Sequence, residues 1–331
     1  MNTTSIAVIG GGSWATALVK IASTNVNAVH WWIRNEESVA FIHRYKHNPN
    51  YLSDVELNLE VVRPSSSIKE VIASSDIIIL AVPAAFLTKA LAGLTTDDFK
   101  NKTVFSAIKG IVPEQFQIVG DYMHQTYQIP FDNIGVITGP CHAEEVALEK
   151  LSYLTVACPN AAKAEAMAQL LKCRYIQTIT SDDIFGTEYS AVLKNIMAIA
   201  SGICHGIGYG DNFQAVLISS AIREIKRFRE AAHPIQRDIN DSAYLGDLLV
   251  TCYSQFSRNR TFGSMIGKGY SVKSAQLEMN MIAEGYYAIA CIHEINKTLK
   301  ADIPICEAVY NVLYEKISAR LEMKLLSEKL G

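Results

Sequence analysis

The stretch at residues 5–16, SIAVIGGGSWAT, constrains the fold most, because a short apolar strand runs directly into a glycine turn and a helix start. The glycine pattern is Gly10-x-Gly12-x-x-Ala15. A glycine at position 10 allows the tight turn, the bare backbone at Gly12 lets a pyrophosphate approach, and Ala15 keeps the helix close to the sheet. The helix N-terminus offers free N–H groups to the phosphates. The stretch predicts a dinucleotide-binding turn; the alternative is a glycine-rich strand–helix turn with no ligand.

Composition restricts the class of protein and its partners. The chain has 331 residues, which suggests about two domains, and its hydrophobic fraction of 49% is ample for packed cores. A formal net charge of −3 argues against a nucleic-acid or membrane-surface binder. Seven cysteines without a CxxC pair, and no secretory-type segment, favour reduced thiols in the cytoplasm.

Two features that the sequence lacks bear on whether the protein spans a membrane or binds a metal. The longest apolar run, at residues 77–87, contains Pro83 and is far shorter than the ~20 residues that span a bilayer. It is instead typical of a buried parallel strand. The histidines show no metal-ligand spacing, so we expect no metal and no membrane span.

The first half of the chain alternates apolar strands with helical patterns. Strands are predicted at 6–9, 29–33, 77–82, 103–108, 134–138, 154–157 and 175–178, and helices at 14–23, 68–73, 115–127 and 161–171. Continuous apolar strands separated by helices indicate an α/β domain of Rossmann type, with a mostly parallel sheet covered on both faces. We expect this dinucleotide-binding domain to occupy residues 1–181.

Residues 182–331 show long helical periodicity and no convincing strand. Helices are predicted at 184–207, 212–229, 245–252, 282–298 and 305–320, with a polar loop at 233–242. This pattern predicts an all-helical C-terminal domain that carries the substrate and the catalytic groups. Its apolar helices are compatible with a homodimer.

The end of the second strand bears on the choice of cofactor. About twenty residues after the glycine turn, where an NAD site often carries an acidic residue, this chain has Arg34. A guanidinium can hold a 2′-phosphate, which favours NADP(H) over NAD(H). The alternative is an arginine that lies against the adenine and accepts either cofactor.

Three groups of residues could carry chemistry. Lys109 follows one predicted strand, and Gly139-Pro140-Cys141 follows another at the same edge of the sheet, where open α/β sheets bind ligands. Lys194 lies in a helix of mostly apolar residues, beside Asn195. It is either a surface lysine that extends to solvent or, if desolvated, a proton-transfer group.

The third group lies in the predicted C-terminal domain. Asp247 stands in an apolar helical context, where an unpaired carboxylate is costly and a lysine is the natural partner. The run Ser257-Arg258-Asn259-Arg260 could hold a phosphate through a guanidinium, an amide and a hydroxyl. The alternative is a solvated helix start with Ser257 as its N-cap.

Together these stretches resemble the bacterial-type NAD(P)-dependent glycerol-3-phosphate dehydrogenases over nearly the whole chain. The matching segments, in the family's order, are IGGGSWATAL, AVP, KGI, GPCHAEEVA, LKNIMAIASGICHGIGYGDN, GDLLVTC, SRNRTFG and AEGY. The resemblance implies hydride transfer between NAD(P)H and dihydroxyacetone phosphate, which supplies glycerol 3-phosphate for phospholipid synthesis. The phosphorylated substrate is then the small-molecule partner.

The resemblance also implies roles for individual residues. Lys194 matches the general acid/base, Asp247 its acidic partner, and Lys109 the lysine that faces substrate and cofactor. The remaining substrate positions are Gly139, Cys141, Ser257, Arg258 and Asn259. The cofactor positions are Gly10, Gly12, Ser13, Trp14, Arg34, Lys109, Ala143, Arg258 and Glu284.

Three positions depart from the family pattern. Cys141 stands where the family has Ser or Thr, and a thiol is the poorer hydrogen-bond donor. Ser220 replaces the arginine of a TRGLxE segment, and Tyr244 stands in a run that is usually glycine-rich, where its bulk could narrow the pocket. Two rival functions stay open: a related ketopantoate or 3-hydroxyacid dehydrogenase, and a non-catalytic NAD(P)-binding sensor.

Overall fold

The computed structural model describes residues 5–235, 237–279 and 282–330. Its backbone contacts divide the chain into two compact units. The first comprises residues 1–108 and 119–184, and the second comprises residues 109–118 and 185–331.

The first unit is built around an eight-stranded sheet. Its strands are β1 Ser5–Ile9, β2 Ala28–Trp32, β3 Val62–Ser65, β4 Ile77–Leu80, β5 Thr103–Ser106, β8 Ile134–Thr138, β9 Ser152–Ala157 and β10 Ile176–Ser181. Its helices are α1 Ser13–Ala22, α2 Glu36–Tyr45, α3 Ile68–Ala73, α4 Leu87–Ala90, α5 Val119–Tyr127, α6 Ala143–Ala147 and α7 Ala161–Leu171. A short hairpin, β6 Ile111–Val112 and β7 Gln117–Ile118, belongs to the second unit.

The sheet confirms the predicted Rossmann-type class. The strand order is β10-β9-β8-β5-β4-β1-β2-β3, and every neighbouring pair is parallel except β8 and β9. The edge strand β3 was not predicted, because its sequence VRPS is polar and contains Pro64. Proline has no N–H to donate and is tolerated at the edge of a sheet.

The second unit is mainly helical. Its helices are α8 Ile184–Ile207, α9 Asp211–Ala232, α10 Asp247–Tyr253, α11 Arg258–Gly267, α12 Val272–Glu278, α13 Glu284–Leu299, α14 Pro304–Leu313 and α15 Ala319–Ser327, with a π-helical turn at Ser242–Gly246. Helix α8 is long and apolar enough to cross a membrane by composition, yet 83% of that stretch is buried inside the protein. It is therefore a core helix.

The predicted division at residue 181 differs from the structure in two ways. Residues 109–118, predicted in the first domain, form the β6–β7 hairpin and pack with the second unit. From residue 182 onward the described residues form helices, as predicted. Ile111 and Ile118 are buried in the core of the helical unit, and the burial of these apolar side chains stabilises the hairpin there. The main boundary falls after Ile184 rather than after Ser181.

Two helix predictions also need correction. The helix predicted at 115–127 begins only at Val119, because Gln117 and Ile118 pair as β7. The helix predicted at 305–320 is two helices, since α14 ends at Leu313 and α15 begins at Ala319. All seven cysteines are free thiols, as expected for reduced cysteines.

Glycines on α8 and α11 set the approach of these two helices. A Cβ atom at Gly202 of α8 would overlap the carbonyl oxygen of Arg260, and one at Gly263 of α11 would overlap that of Ile199. Gly206 also lies in α8 and meets the backbone of α11 in the same way. The helix that carries Lys194 and the helix that follows Ser257 therefore touch backbone to backbone.

We expect Gly263→Ala to lower the free energy of unfolding by about 1–3 kcal/mol, because the added methyl must push α11 away from α8. Urea denaturation followed by circular dichroism measures this change. The matched control is Thr261→Ala, an exposed position of the same helix, which should stay within about 0.5 kcal/mol of the unsubstituted protein. Equal effects of the two substitutions would contradict the close-packed helix crossing.

Candidate functional site

The glycine turn between β1 and α1 has the conformation that the sequence predicts. Gly10 has φ +140°, a value that side chains rarely tolerate, and a Cβ there would overlap the carbonyl oxygen of Ala81. The Gly10 N–H donates to the carbonyl oxygen of Trp32 at 3.1 Å. The buried Trp31 indole donates its Nε1–H to the Gly10 carbonyl at 2.6 Å. Both hydrogen bonds come from β2, so that strand holds the turn.

A residue that the sequence analysis missed supports the same turn. Asn48, which is 2% exposed, donates from Nδ2 to the Gly11 carbonyl at 3.1 Å and to the Thr16 hydroxyl at 2.8 Å. The Thr16 hydroxyl in turn donates to the Gly12 carbonyl at 3.0 Å. Asn48 lies in an irregular polar segment, HNPN, where no periodicity or motif marks it.

The start of α1 fits a bound pyrophosphate. Gly12 is the N-cap, no side chain caps the first turn, and a Cβ at Gly12 would meet nothing within 4 Å. A helix start that has no capping side chain, and open space beside its N-cap, can be approached by an anion. Arg34 is exposed directly after β2, and Asn35 caps the following helix α2. These residues fit a dinucleotide.

The loop after β8 is shaped by close backbone contact. Gly139 has φ +122°, and a Cβ there would lie 2.7 Å from the carbonyl oxygen of Tyr153. Cys141 is 7% exposed in this loop, and Ala143 is the first residue of α6. Glycine is thus required at position 139 by conformation and by space.

The second unit gathers the two lysines around one carboxylate. The Lys194 Nζ lies 2.5 Å from Asp247 Oδ1, and the Lys109 Nζ lies 3.4 Å from Asp247 Oδ2. Lys194 also donates to the Thr251 hydroxyl at 3.0 Å, and that hydroxyl donates to the Asp247 carbonyl at 2.6 Å. The Lys109 backbone is tied to α8, because Asn195 Nδ2 donates to its carbonyl at 2.8 Å.

Burial decides the electrostatics of this cluster. The side chains of Asp247, Lys194 and Lys109 are 1%, 5% and 18% exposed, so all three charges are largely shielded from water. Burial lowers the pKa of Lys194 to about 7, helped by the nearby Lys109, while Asp247 opposes the shift by stabilising the ammonium. The lysine is therefore able to gain and lose a proton near neutral pH.

Thr251 was not identified from the sequence, because a threonine in an apolar helix has no distinctive pattern.

The start of α11 carries several side-chain hydrogen-bond donors. Ser257 is the N-cap, and its hydroxyl oxygen accepts from the Arg260 N–H at 3.3 Å, which leaves the hydroxyl hydrogen to donate. Asn259 accepts from the Gly285 N–H through Oδ1 at 2.9 Å, so its Nδ2 is the side that can bind an anion. Arg258 is the first residue of the helix and is half-buried. Ser257 is thus an N-cap as well as a candidate anion-binding residue.

Gly285 links this helix start to α8, the helix of Lys194. It is the second residue of α13, and a Cβ there would lie 2.7 Å from the carbonyl oxygen of Asn195, next to Lys194. The candidate cofactor residue Glu284 is the first residue of α13. Asn259, Gly285 and Asn195 therefore form a continuous contact between α11, α13 and α8.

The structure divides the predicted site residues between the two units. Within the second unit it brings Lys109, Lys194 and Asp247 into direct contact. The first unit holds Gly10, Gly12, Ser13, Trp14, Arg34, Gly139, Cys141 and Ala143, and the second holds Lys109, Lys194, Asp247, Ser257, Arg258, Asn259 and Glu284. Within the described ranges, no group of three or more His, Cys, Asp or Glu residues is arranged to hold a metal ion.

The two other departures from the family pattern are buried. Ser220 is 6% exposed and accepts from Arg223 Nη2 at 3.0 Å. Tyr244 is 3% exposed, and its ring lies under the Arg229 guanidinium, 4.2 Å from its centroid.

Comparison with known proteins agrees with this geometry. The models of the NAD-dependent glycerol-3-phosphate dehydrogenase N-terminus and C-terminus match residues 5–164 and 183–324. A glycerol-3-phosphate dehydrogenase [NAD(P)+] of Staphylococcus carnosus is 33% identical over 322 residues, covering 97% of both chains. The solved glycerol-3-phosphate dehydrogenase of Coxiella burnetii has a TM-score of 0.91 at 25% identity, over 98% of this chain and 99% of that chain.

Together with the glycine turn after β1, these matches identify an NAD(P)-dependent dehydrogenase. Within that class, the chain belongs to the NAD-dependent glycerol-3-phosphate dehydrogenase family. A ketopantoate reductase of Ralstonia eutropha shares the fold alone, with a TM-score of 0.60 at 12% identity over 98% of this chain and all of that chain.

Proposed function

We propose that this protein reversibly reduces dihydroxyacetone phosphate to sn-glycerol 3-phosphate with NAD(P)H. The observation that carries the proposal is the buried cluster of Lys109, Lys194 and Asp247 in the same unit as the donor-rich start of α11. A ketone reduction needs a proton donor at the forming alkoxide, and a phosphorylated substrate needs an anion anchor.

The lysines act on the C2 oxygen of the substrate. NAD(P)H, when bound, supplies the hydride that becomes bonded to C2. As the carbon–oxygen π bond breaks, its electron pair moves to O2, and the Lys194 ammonium gives that oxygen a proton and becomes a neutral amine. Asp247 holds the ammonium, and Lys109 adds positive charge at the same oxygen. The reverse reaction takes the hydroxyl proton back to Lys194.

The start of α11 anchors the phosphate away from the reacting carbon. Arg258, the Ser257 hydroxyl and Asn259 Nδ2 are the donors, and the Gly285 N–H engages Asn259 Oδ1 and so fixes the orientation of that amide. A remote anchor supplies positioning energy without taking part in the chemistry.

The pKa of Lys194 gives the reaction a pH dependence of opposite sign in the two directions. Reduction needs the ammonium, so kcat for dihydroxyacetone phosphate should fall as the pH rises through about 7. Oxidation of glycerol 3-phosphate needs the neutral amine, so its kcat should rise over the same interval. Steady-state rates from pH 5.5 to 9 measure both limbs, and parallel profiles would exclude Lys194 as the titrating group.

We expect Arg34 to favour NADP(H), since only NADP(H) carries a 2′-phosphate. Arg34→Ala should weaken NADPH binding roughly tenfold to a hundredfold, the effect of losing a charge-assisted hydrogen bond of about 1.5–3 kcal/mol. NADH binding should change much less. Fluorescence titration measures both dissociation constants, with Arg44→Ala, another exposed arginine of the same unit, as the control. Equal losses would mean that Arg34 only packs against the adenine.

One assay separates the proposal from its rivals. The absorbance of NADPH and NADH is followed with dihydroxyacetone phosphate and with ketopantoate. Turnover of the phosphorylated ketone alone supports the proposal, and turnover of ketopantoate alone would replace it. Binding of NADPH with no turnover of either would identify a sensor, although a sensor has no use for a buried Lys194–Asp247 pair.

The proposal extends to the two units and to the cell. The first unit binds the dinucleotide, and the second binds the substrate and carries the proton donor. We place the protein in the cytoplasm, where it supplies glycerol 3-phosphate for phospholipid synthesis. We also propose that it forms a homodimer, which light scattering would test.

A further inference from the structure

The backbone of Asp247 is fixed by an uncommon local structure. Residues Ser242–Gly246 form a π-helical turn that runs directly into α10, whose first residue is Asp247. The Asp247 N–H donates to the carbonyl oxygens of Ser242 and Tyr244, so the turn itself sets the position of the aspartate. π-helical turns are rare and need support, because they are wider than an α-helical turn.

The support comes from the middle of the turn. The Tyr244 side chain is buried and faces the guanidinium of Arg229, which is 5% exposed and belongs to the last turn of α9. A guanidinium 4.2 Å from a ring centroid and shielded from water is a strong cation–π contact. The 22-residue helix α9 therefore contacts the turn through the Arg229–Tyr244 pair.

We propose that the Arg229–Tyr244 pair is a positioning device for the proton donor: it holds the π-helical turn so that the Asp247 carboxylate meets Lys194 and Lys109. Tyr244 does not touch the reacting atoms in this account. It acts through the backbone of Asp247, whose carboxylate lies 2.5 Å from Lys194 and 3.4 Å from Lys109.

Tyr244 is the member of the pair that departs from the pattern that this chain resembles. The segment before Gly-Asp-Leu is usually glycine-rich in the family, and here Tyr244 supplies a ring that a glycine lacks. The bulk of Tyr244 is directed at Arg229 and buried within the helical unit. The tyrosine thus stiffens the turn that precedes the catalytic aspartate.

The test compares Tyr244→Leu, which keeps bulk and removes the aromatic face, with Tyr244→Phe, which keeps the ring. Charged and titratable groups around Lys194 are Asp247, Lys109, Cys252 and, further out, Arg260. If Asp247 moves, the ammonium of Lys194 loses stabilisation, and the fall of kcat for reduction shifts to lower pH. For Tyr244→Leu we expect kcat to drop about tenfold at pH 8 and much less at pH 6. A fall of about one unit in the pKa of Lys194 lowers its protonated fraction about tenfold above the pKa and little below it. Tyr244→Phe should keep the original profile.

A control and a second readout separate positioning from packing. Tyr310→Leu breaks another ring contact of the same unit, the stacking on His293 at 3.8 Å, and should lower the melting temperature without moving the pH profile. Crystal structures of the unsubstituted protein and of Tyr244→Leu report the Lys194 Nζ–Asp247 Oδ1 separation, whether or not the protein turns over this substrate. A lengthened separation supports the inference, and an unchanged one overturns it.

The inference rests on the proposed function, and the outcomes keep the two apart. No turnover of dihydroxyacetone phosphate by the unsubstituted protein would remove the proposed function, and the crystallographic comparison would still decide the positioning role. Turnover with an unchanged pH profile in Tyr244→Leu would remove the positioning role alone. Arg229→Met should reproduce the shift of Tyr244→Leu, and the double variant should shift no further, because both remove one contact.

Discussion

Replacement of Lys194 by alanine is expected to reduce kcat for dihydroxyacetone phosphate by at least about 10²–10⁴, the usual contribution of a general acid. The loss should exceed that range if the ammonium also stabilises the charge that develops on the C2 oxygen. NADPH binding should stay within about twofold, because the glycine turn is in the other unit and is untouched.

Two comparisons make the Lys194 result specific. Lys226→Ala removes a surface lysine of the same unit, 55% exposed, and should leave the rate unchanged. Small primary amines added to Lys194→Ala should restore part of the rate, with a size preference set by the space left beside Asp247. A variant that keeps more than about a tenth of the original rate would rule out Lys194 as the proton donor.

The second large effect is expected at the phosphate anchor. Arg258→Ala should lower kcat/KM for dihydroxyacetone phosphate by about two orders of magnitude or more, and that for unphosphorylated dihydroxyacetone far less. The anchor matters only to a substrate that carries the anchored group. KM should rise and kcat should fall together, because the binding energy that aligns C2 is lost.

The control for Arg258 addresses its second expected role. Because the resemblance also implies a cofactor contact, KM for NADPH is measured in the same variant. Arg320→Ala, an exposed arginine of α15, serves as the matched substitution. Equal losses for both substrates, with NADPH binding unchanged, would place the phosphate site elsewhere.

Much of the first unit was predictable from its sequence, because apolar strands and a glycine turn are local signals. The polar strand β3 and the antiparallel pairing of β9 were not predictable, since both depend on partners distant in the chain. Strand β7 looked like part of a helix and β6 was not predicted, although the buried isoleucines of this hairpin pack with the second unit.

The candidate site divides in the same way. The lysine–aspartate pair was foreseeable, because an isolated carboxylate in an apolar helix needs a cation. The roles of Thr251, Asn48 and Gly285 were not, because each acts through a hydrogen bond or close contact that only the folded chain creates. Ser257 shows that one hydroxyl can cap a helix and still be able to donate to a ligand.

The most direct measurement of the central claim is the identity of the product. The purified protein is incubated with NADPH and dihydroxyacetone phosphate, and the product is analysed by phosphorus NMR and by an enzyme specific for one glycerol phosphate enantiomer. We expect sn-glycerol 3-phosphate in equal amount to the NADPH consumed, and none with Lys194→Ala. Formation of the opposite enantiomer, or NADPH consumption without glycerol phosphate, would contradict it.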